Sequence, residues 1–356
     1  MSREFLWYIP NTVLAGHRGD DTVDGWGSLE YSVDLAQRAE RNGWGGALIG
    51  TGWGRPDSFV IATAIAARTT TFAPLVAIRP GYWNPAHFAS AAATFDQLSR
   101  GRLLVNVVTG ADDVRAYGDL DLDKSRRYDR TREFLQLVRR LWREEDVTFD
   151  GEYFSVEHST LEPRTFGADK GRHPKLYFGG ASAAAEEVAA AEADVQLFWG
   201  EPLDGIAERI ERLSALSEKL DREHPPLEYG LRVTTLVRDT SEEAWHDAEA
   251  KVAELAGKPS VLLLHNAGSA EGQRRLSDLA GRGEVLDSCL YTTPSKYGGE
   301  GAGTTWLVGS AAEVAAALQK YRDLGVSHFI LSDTPYVSEV SRIGEQVLPL
   351  LRDTAS

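Results

Sequence analysis

The sequence is poor in cysteine and in basic residues. Cys289 is the single cysteine among 356 residues, which excludes an intramolecular disulfide and a cysteine-ligated metal cluster and fits a reducing cytoplasm. Lys and Arg number 38 against 53 Asp and Glu, and no basic stripe offsets the net charge of −15. We therefore expect no binding to nucleic acid or to an anionic membrane surface.

Long apolar runs and the common catalytic motifs are also missing. The sequence has no run of about 18 apolar residues and no apolar leader at its start, so we expect neither a membrane span nor a secretion signal. His-Glu-x-x-His and Cys-x-x-Cys are absent, and the eight histidines lack the spacing of metal ligands. Gly-x-Ser-x-Gly and a P-loop are absent as well. We expect a cytoplasmic protein without a metal site, and neither a serine hydrolase nor a kinase.

What the sequence does have is an alternation of short apolar segments with helical patterns. The apolar segments are nearly continuous, as is typical of parallel strands covered by helices. They cover residues 5–10, 47–51, 72–78, 103–108, 176–179, 195–199, 230–237 and 328–332. The helical patterns cover residues 29–42, 56–67, 85–98, 128–142, 182–190, 203–220, 311–324 and 339–351. Eight strands that alternate with helices predict an α/β fold, a (β/α)8 TIM barrel.

A doubly wound open sheet is the alternative fold. Such a sheet usually carries a glycine fingerprint after its first strand, and "WYIPNTVLAGHRG" has none. A barrel needs about 250 residues, so this chain has residues in excess. We expect a single domain over residues 1–356, with insertions at about 110–128, 145–174 and 238–309.

The longest insertion lies between the seventh and eighth predicted strands. It begins with a predicted helix at residues 241–256 and continues into a polar tract with six glycines between Gly281 and Gly303. Loops that follow the strands build the active sites of barrels, so this tract is a candidate lid. An ordered surface excursion or an oligomer contact is an equally good interpretation. The second insertion has a hairpin signal at Asp150-Gly151.

The stretch "KLYFGGASAAAEEVAA" joins the fifth predicted strand directly to a helix. Gly179 and Gly180 allow a ligand to approach the backbone, and Ser182 offers a hydroxyl and a helix N-cap. Unpaired N–H groups at a helix start favour anions, so the turn is a candidate phosphate site. A plain N-cap with tight packing is the alternative, although Glu186 falls one residue late for a capping box.

Several motifs carry a family resemblance over nearly the whole chain. They are "RPGYWNPAHFA", "LLVNVVTG", "RRYDRTREFLQLVRRLW", "FDGEYF", "PKLYFGGAS", "FWGEP", "YGLRV", "LVGSAAEVAAALQKYRDLGVSHFILSDTP" and "RIGEQVLPLL". The chain resembles the bacterial-luciferase-like flavin-dependent monooxygenases, closest to the alkanesulfonate monooxygenase branch. The motif "RPGYWNPAHFA" is similar to the sulfone and pyrimidine monooxygenases of the same superfamily. The resemblance implies a barrel, reduced FMN (FMNH2), molecular oxygen and a separate NAD(P)H-dependent flavin reductase. We also expect a homo-oligomer, either a dimer or a tetramer.

The resemblance also implies a set of flavin contacts. Those beside the ring are Asn106 and the backbone at Thr51 and Gly52, and those at the phosphate are Arg127, Tyr128, Gly180 and Ser182. One expected acidic residue is missing, because Arg115 stands five positions after Gly110. The flavin half of the family pattern is therefore largely kept.

The substrate half of the family pattern is rewritten. Arg232 is kept, but Thr234 stands where the sulfonate enzymes have a histidine, and Arg55 stands where they have a cysteine. Thr334 replaces a tyrosine, although Tyr336 is nearby. The expected substrate contacts are thus Arg55, Thr234, Tyr336 and Lys296, the last in the lid tract.

Three residues are catalytic candidates, namely Arg232, His17 and Trp199. Arg232 lies in an apolar strand, where an unpaired charge is costly. His17 matches a family histidine in the loop after the first strand. Trp199, with Trp53 and Trp83, can line a pocket that excludes water. The ordinary structural alternative is a surface ion pair for the Arg or His residues and a core aromatic for the Trp residues.

These features together predict a two-component monooxygenase that uses FMNH2 and O2. The expected substrate is a small organosulfur compound, a sulfonate or a sulfone, cleaved to an aldehyde and sulfite. The alternatives are a monooxygenase of the same fold that acts on a nitrogen, carbonyl or heterocyclic substrate, and a deazaflavin-dependent oxidoreductase. A flavin-binding or storage protein without turnover is the alternative from another class.

Overall fold

Eight parallel strands close into a barrel. The computed structural model describes residues 4–13, 18–20, 22–109, 114–119, 123–256, 271–297 and 304–352. Its strands are β1 (Phe5–Ile9), β2 (Gly46–Ile49), β3 (Ala73–Ile78), β4 (Leu104–Val107), β5 (Val147–Asp150), β6 (Ser155–Ser159), β7 (Lys175–Gly179), β8 (Val195–Trp199), β9 (Glu228–Arg238), β10 (Val285–Leu286), β11 (Leu290–Tyr291), β12 (Trp306–Ser310) and β13 (Val326–Ser332). The ring runs β1, β2, β3, β4, β7, β8, β9, β13 and back to β1. The predicted TIM-barrel fold, with all eight strands, is confirmed.

The helices follow the strands around the outside of the barrel. They are α1 (Leu29–Arg41), α2 (Ser58–Ala66), α3 (Pro85–Ser99), α4 (Lys124–Arg143), α5 (Ala183–Glu192), α6 (Leu203–Lys219), α7 (Ser241–Ala256), α8 (Glu271–Arg282), α9 (Ala311–Asp323), α10 (Tyr336–Gln346) and α11 (Leu348–Arg352). The predicted single helix at 339–351 was wrong, because the chain forms α10 and α11 in its place. Pro349 has no N–H for the helix ladder, which explains a break here.

The barrel strands are buried because their sequences are apolar on both faces. All five residues of β1 and all six of β3 are buried. Trp7 of β1 packs against Trp44, which precedes β2, with ring centroids 4.9 Å apart. Strands covered on one side by helices and filled on the other by barrel side chains have no polar face to expose.

The insertions at 145–174 and 238–309 contain ordered secondary structure in their described parts. β5 and β6 form the hairpin predicted at Asp150-Gly151. The insertion after β9 holds the predicted helix α7, and also α8, β10, β11 and β12, which the sequence did not predict. β8 pairs with the first half of β9, and this pairing ends at Trp199. β12 pairs with the second half of β9, along the same edge of that strand. Residues 298–303 of the glycine-rich tract lie outside the described residues, so the lid stays a prediction.

An ionic cluster lies at the end of the barrel where the strands begin. Glu228 starts β9, and its carboxylate lies 2.7 Å from the Lys175 Nζ and 2.6 Å from the His328 Nε2. The Tyr177 hydroxyl lies 3.0 Å from the His328 Nδ1. The hydrogen bond with His328 and the Lys175 charge lower the pKa of Glu228 to about 2. The cluster joins β7, β9 and β13 through side chains.

We expect Glu228→Gln to lower the thermal unfolding midpoint by about 2 °C at pH 7, the size of one partly exposed ion-pair contribution. Because the pKa of Glu228 is lowered in the folded state, its contribution is complete above about pH 4.5 and is lost as the pH falls toward 2. Thermal melts from pH 7 to pH 3 measure the difference. Glu157→Gln, at an exposed position of β6, is the control and should change little. A difference that grows at low pH would contradict this account.

Candidate functional site

The turn between β7 and α5 lies at the end of the barrel where the strands finish. Ser182 is the N-cap of α5, and its Oγ accepts a hydrogen bond from the Ala185 amide at 3.3 Å. Gly180 has a φ of +152°, and a Cβ there would lie 2.5 Å from the Ala185 Cβ. A Cβ at Gly179 would have no described atom within 4 Å. The turn thus requires glycine at one position and leaves open space at the other, beside a helix start that favours anions.

Arg127 and Tyr128 lie near the start of α4, beside the end of β4. The Thr131 Oγ1 lies 3.2 Å from the Thr109 Oγ1, just after β4, and donates to the Arg127 carbonyl at 2.8 Å. Since β4 pairs with β7 and α4 packs against α5, Arg127 comes from the element next to the glycine turn. The Arg127 Nε is buried and has no hydrogen-bond partner among the described residues. Such a nitrogen fits an anion that supplies the missing acceptor.

Asn106 is the polar residue inside β4. It lies in register with Ala77 of β3 and Tyr177 of β7, and the residue is only 6% exposed. Its Oδ1 is buried and has no hydrogen-bond partner in the described part of the chain. Buried amide oxygens are nearly always bonded, so this atom is available to a donor on a ligand.

Arg232 lies beside Trp199, in register on the neighbouring strands β9 and β8. Its guanidinium stands 4.6 Å from the centre of the Tyr8 ring, and the contact spans β13, which separates β9 from β1. No carboxylate of the described residues pairs with Arg232. Thr234 is two residues further along β9, hence on the same face of the strand, and is buried. The arrangement leaves the Arg232 charge available to an anion at these strand ends.

A cavity of about 670 Å³ opens between the loops after β2 and β3. The ring centroids of Tyr82 and Tyr117 are 4.5 Å apart, and that of Trp53 is 5.7 Å from Tyr117. Other residues that line the cavity are Thr51, Gly52, Arg55, Trp83 and His87. The structure therefore brings Thr51, Gly52 and Arg55 together. Tyr82 stands within the quoted "RPGYWNP" motif and could have been found there, whereas no sequence pattern marks Tyr117.

Three predicted site residues remain, namely His17, Tyr336 and Lys296. His17 lies outside the described residues. Tyr336 is the buried first residue of α10, and its ring centroid lies 5.9 Å from that of Tyr8, the ring that also contacts Arg232. Lys296 is exposed at the end of the short turn Thr293–Lys296, and in the described structure it makes no contact with Arg232.

The described residues show neither a membrane-spanning helix nor a metal-binding cluster. No helix in them is long and apolar enough to cross a membrane. No group of three or more His, Cys, Asp or Glu side chains there is arranged to hold a metal ion.

Comparison with known proteins decides the family. The sequence model of the luciferase-like monooxygenases matches residues 4–328. The chain belongs to the luciferase-like monooxygenase family. The expectation of an enzyme, a flavin-dependent oxidoreductase, is thereby confirmed, and its cofactor is of the flavin type. The particular branch within the family is not resolved by this match.

Solved structures of this luciferase-like fold are similar over almost the whole chain. A long-chain alkane monooxygenase has a TM-score of 0.77 at 19% identity, over 99% of this chain and 92% of that one. An EDTA monooxygenase from Chelativorans sp. BNC1 has a TM-score of 0.77 at 17% identity, over 99% and 94%. An F420-dependent secondary alcohol dehydrogenase has a TM-score of 0.72 at 18% identity, over 99% and 100%. At these identities the likeness shows the fold alone.

In this luciferase-like enzyme, Ser182→Asp tests the candidate phosphate site at the glycine turn. Asp is also a good N-cap, so the fold should remain, while its charge repels a phosphate. We expect FMN affinity to fall about tenfold or more, measured by fluorescence titration. The control is Ser182→Asn, which caps the helix without a charge. Unchanged FMN affinity in a folded Ser182→Asp protein would place the phosphate elsewhere.

Proposed function

We propose that this chain is the oxygenase of a two-component system that takes FMNH2 from a separate NAD(P)H-dependent flavin reductase and uses O2. We further propose that its substrate is a small organosulfur compound, in the first place a sulfonate anion and otherwise a neutral sulfone. The observation that carries the substrate proposal is Arg232, a partly buried guanidinium on Tyr8 that pairs with no carboxylate of the described residues.

The cofactor part of the proposal rests on polar atoms that have no hydrogen-bond partner among the described residues. A flavin phosphate would supply acceptors for the Arg127 guanidinium and for the amides at the start of α5, and Ser182 and Tyr128 stand at the same helix ends. A flavin ring N–H would supply the donor that the Asn106 Oδ1 lacks. Reduced FMN, when bound, supplies two electrons, so that one atom of O2 enters the organic product and the other leaves as water. Together, these residues would fit the phosphate and the ring of FMN.

The substrate part rests on charge and exclusion of water. Arg232 would hold the anionic sulfur group and stabilise the negative charge on sulfite as the carbon–sulfur bond breaks. Trp199 in register beside it, and the Tyr8 ring beneath it, would limit access of water to the reacting carbon. Thr234 is neutral where the sulfonate enzymes have a histidine, so Arg232 would act there without a second cation.

Oxygen uptake with a reductase tests the proposal. The purified protein is supplied with FMN, NADH, a flavin reductase and a panel of sulfonates and sulfones of increasing chain length. We expect substrate-dependent oxygen consumption for one part of the panel, together with release of sulfite from a sulfonate or of a sulfinate from a sulfone. Substrate oxidation with F420 and without O2 would instead identify a deazaflavin-dependent oxidoreductase. Oxygen consumption that no organosulfur compound changes would reject the substrate class but keep the cofactor.

A further inference from the structure

The carbonyl of Gly180, in the glycine turn before α5, is held by two buried side chains. The Arg209 guanidinium donates to it at 2.8 Å, and the Gln196 Nε2 donates to it at 3.0 Å. Gln196 is 0% exposed and Arg209 is 1% exposed. Two donors on one carbonyl fix the orientation of the peptide that follows Gly180.

Arg209 is itself fixed by a buried ionic network. Its Nε lies 3.0 Å from Glu186 of α5, and its Nη1 lies 2.9 Å from Glu201, which follows β8. Both carboxylates are nearly fully buried. Arg212 binds the same Glu186, and Arg275 of α8 binds the second oxygen of Glu201. Arg209 therefore has a single position available, since each side of its guanidinium is hydrogen-bonded.

The fixed carbonyl determines where the next amide points. The Gly180–Ala181 peptide is trans, so the Ala181 N–H points to the side opposite the Gly180 oxygen, away from Arg209 and Gln196. No described residue accepts a hydrogen bond from the amides of Ala181 or Ser182. Both residues are partly exposed, and both amides are therefore available to a ligand at the start of α5.

We propose that Arg209, together with Gln196, is a positioning residue for phosphate recognition. The two side chains hold the Gly180 carbonyl in the core and thereby direct the Ala181 and Ser182 amides toward the flavin phosphate. The proposal rests on the proposed function, which places that phosphate at this turn. If the carbonyl were not held, the glycine peptide could rotate and present an oxygen to the phosphate in place of an N–H.

The test compares two ligands that differ only in the phosphate. Affinities of the whole protein for reduced FMN and for reduced riboflavin are measured anaerobically by fluorescence titration. In Arg209→Met and Gln196→Leu, we expect FMN affinity to fall about tenfold and riboflavin affinity to stay the same, the size of one hydrogen bond. Gln196→Leu also removes an Oε1 that has no partner among the described residues, so this variant should fold even if the loss of Arg209 prevents folding.

Arg212→Met is the matched control. It removes a partner of Glu186 at 2.9 Å without touching Gly180, so its preference for FMN over riboflavin should equal that of the unaltered protein. A full preference for FMN in Gln196→Leu and in any folded Arg209→Met would overturn the positioning role and leave the phosphate site intact. Equal binding of FMN and riboflavin by the unaltered protein would overturn both.

Discussion

Arg232→Met should lower turnover about 100-fold or more while flavin affinity stays nearly unchanged. The substitution keeps the aliphatic length against Tyr8 and removes the charge proposed to stabilise the anion, and one such electrostatic contact is of this size in other enzymes. Steady-state sulfite release, coupled to oxygen uptake, measures the loss. Because the described structure offers no carboxylate partner to Arg232, the variant leaves no described charge unpaired and should fold normally.

Arg232→Lys is the informative companion to this variant. It keeps the positive charge but not the planar guanidinium, so we expect activity between those of Arg232→Met and the unaltered protein. Full activity in Arg232→Met would remove this residue from the mechanism and would favour a neutral substrate. That outcome would agree with the threonine at position 234, where the sulfonate enzymes have histidine.

Arg127→Met should weaken FMN binding by about 10- to 100-fold, the size of a charged hydrogen bond, without lowering the stability of the ligand-free protein. The two effects separate because the Arg127 Nε is buried without a described partner, so its removal costs no hydrogen bond of that atom to the described residues. FMN titration and thermal unfolding are measured on the same preparation. We expect the unfolding midpoint without ligand to stay the same or to rise.

Arg126→Met provides the neighbouring control. Arg126 is half exposed and already bonded to Glu152 at 2.8 Å, with its guanidinium 5.7 Å from the centre of the Tyr153 ring. Its loss should leave FMN affinity unchanged. Equal losses of affinity in the two variants would indicate a general effect of positive charge near α4, and would contradict a specific contact at Arg127.

The barrel could be predicted because its strands are buried on both faces and therefore read as short continuous apolar runs. The insertion after β9 is harder to predict, because its elements lack such continuous apolar runs. α8 has a mostly polar sequence and buries only a narrow stripe that includes Leu276 and Leu279, so its residues resemble a loop. β12 is an added strand outside the ring, which an alternation of strands and helices does not anticipate.

The candidate site was predictable where a motif marks it. The glycine turn and Ser182 are visible in the sequence, because strand, glycines and helix follow one another directly. Arg209 is not visible, since an arginine in a charged helix normally faces water. Only the fold shows that it is buried between Glu186 and Glu201, from two other segments of the chain.

The most direct test of the central claim is a single turnover. The protein is loaded with reduced FMN without oxygen and then mixed with O2 and a sulfonate from the responsive part of the panel, and sulfite is measured against flavin supplied. We expect sulfite in proportion to reduced FMN and none when O2 is omitted. Reoxidation of the flavin with reduction of O2 to hydrogen peroxide, and with neither sulfite from any sulfonate nor sulfinate from any sulfone, would contradict this expectation.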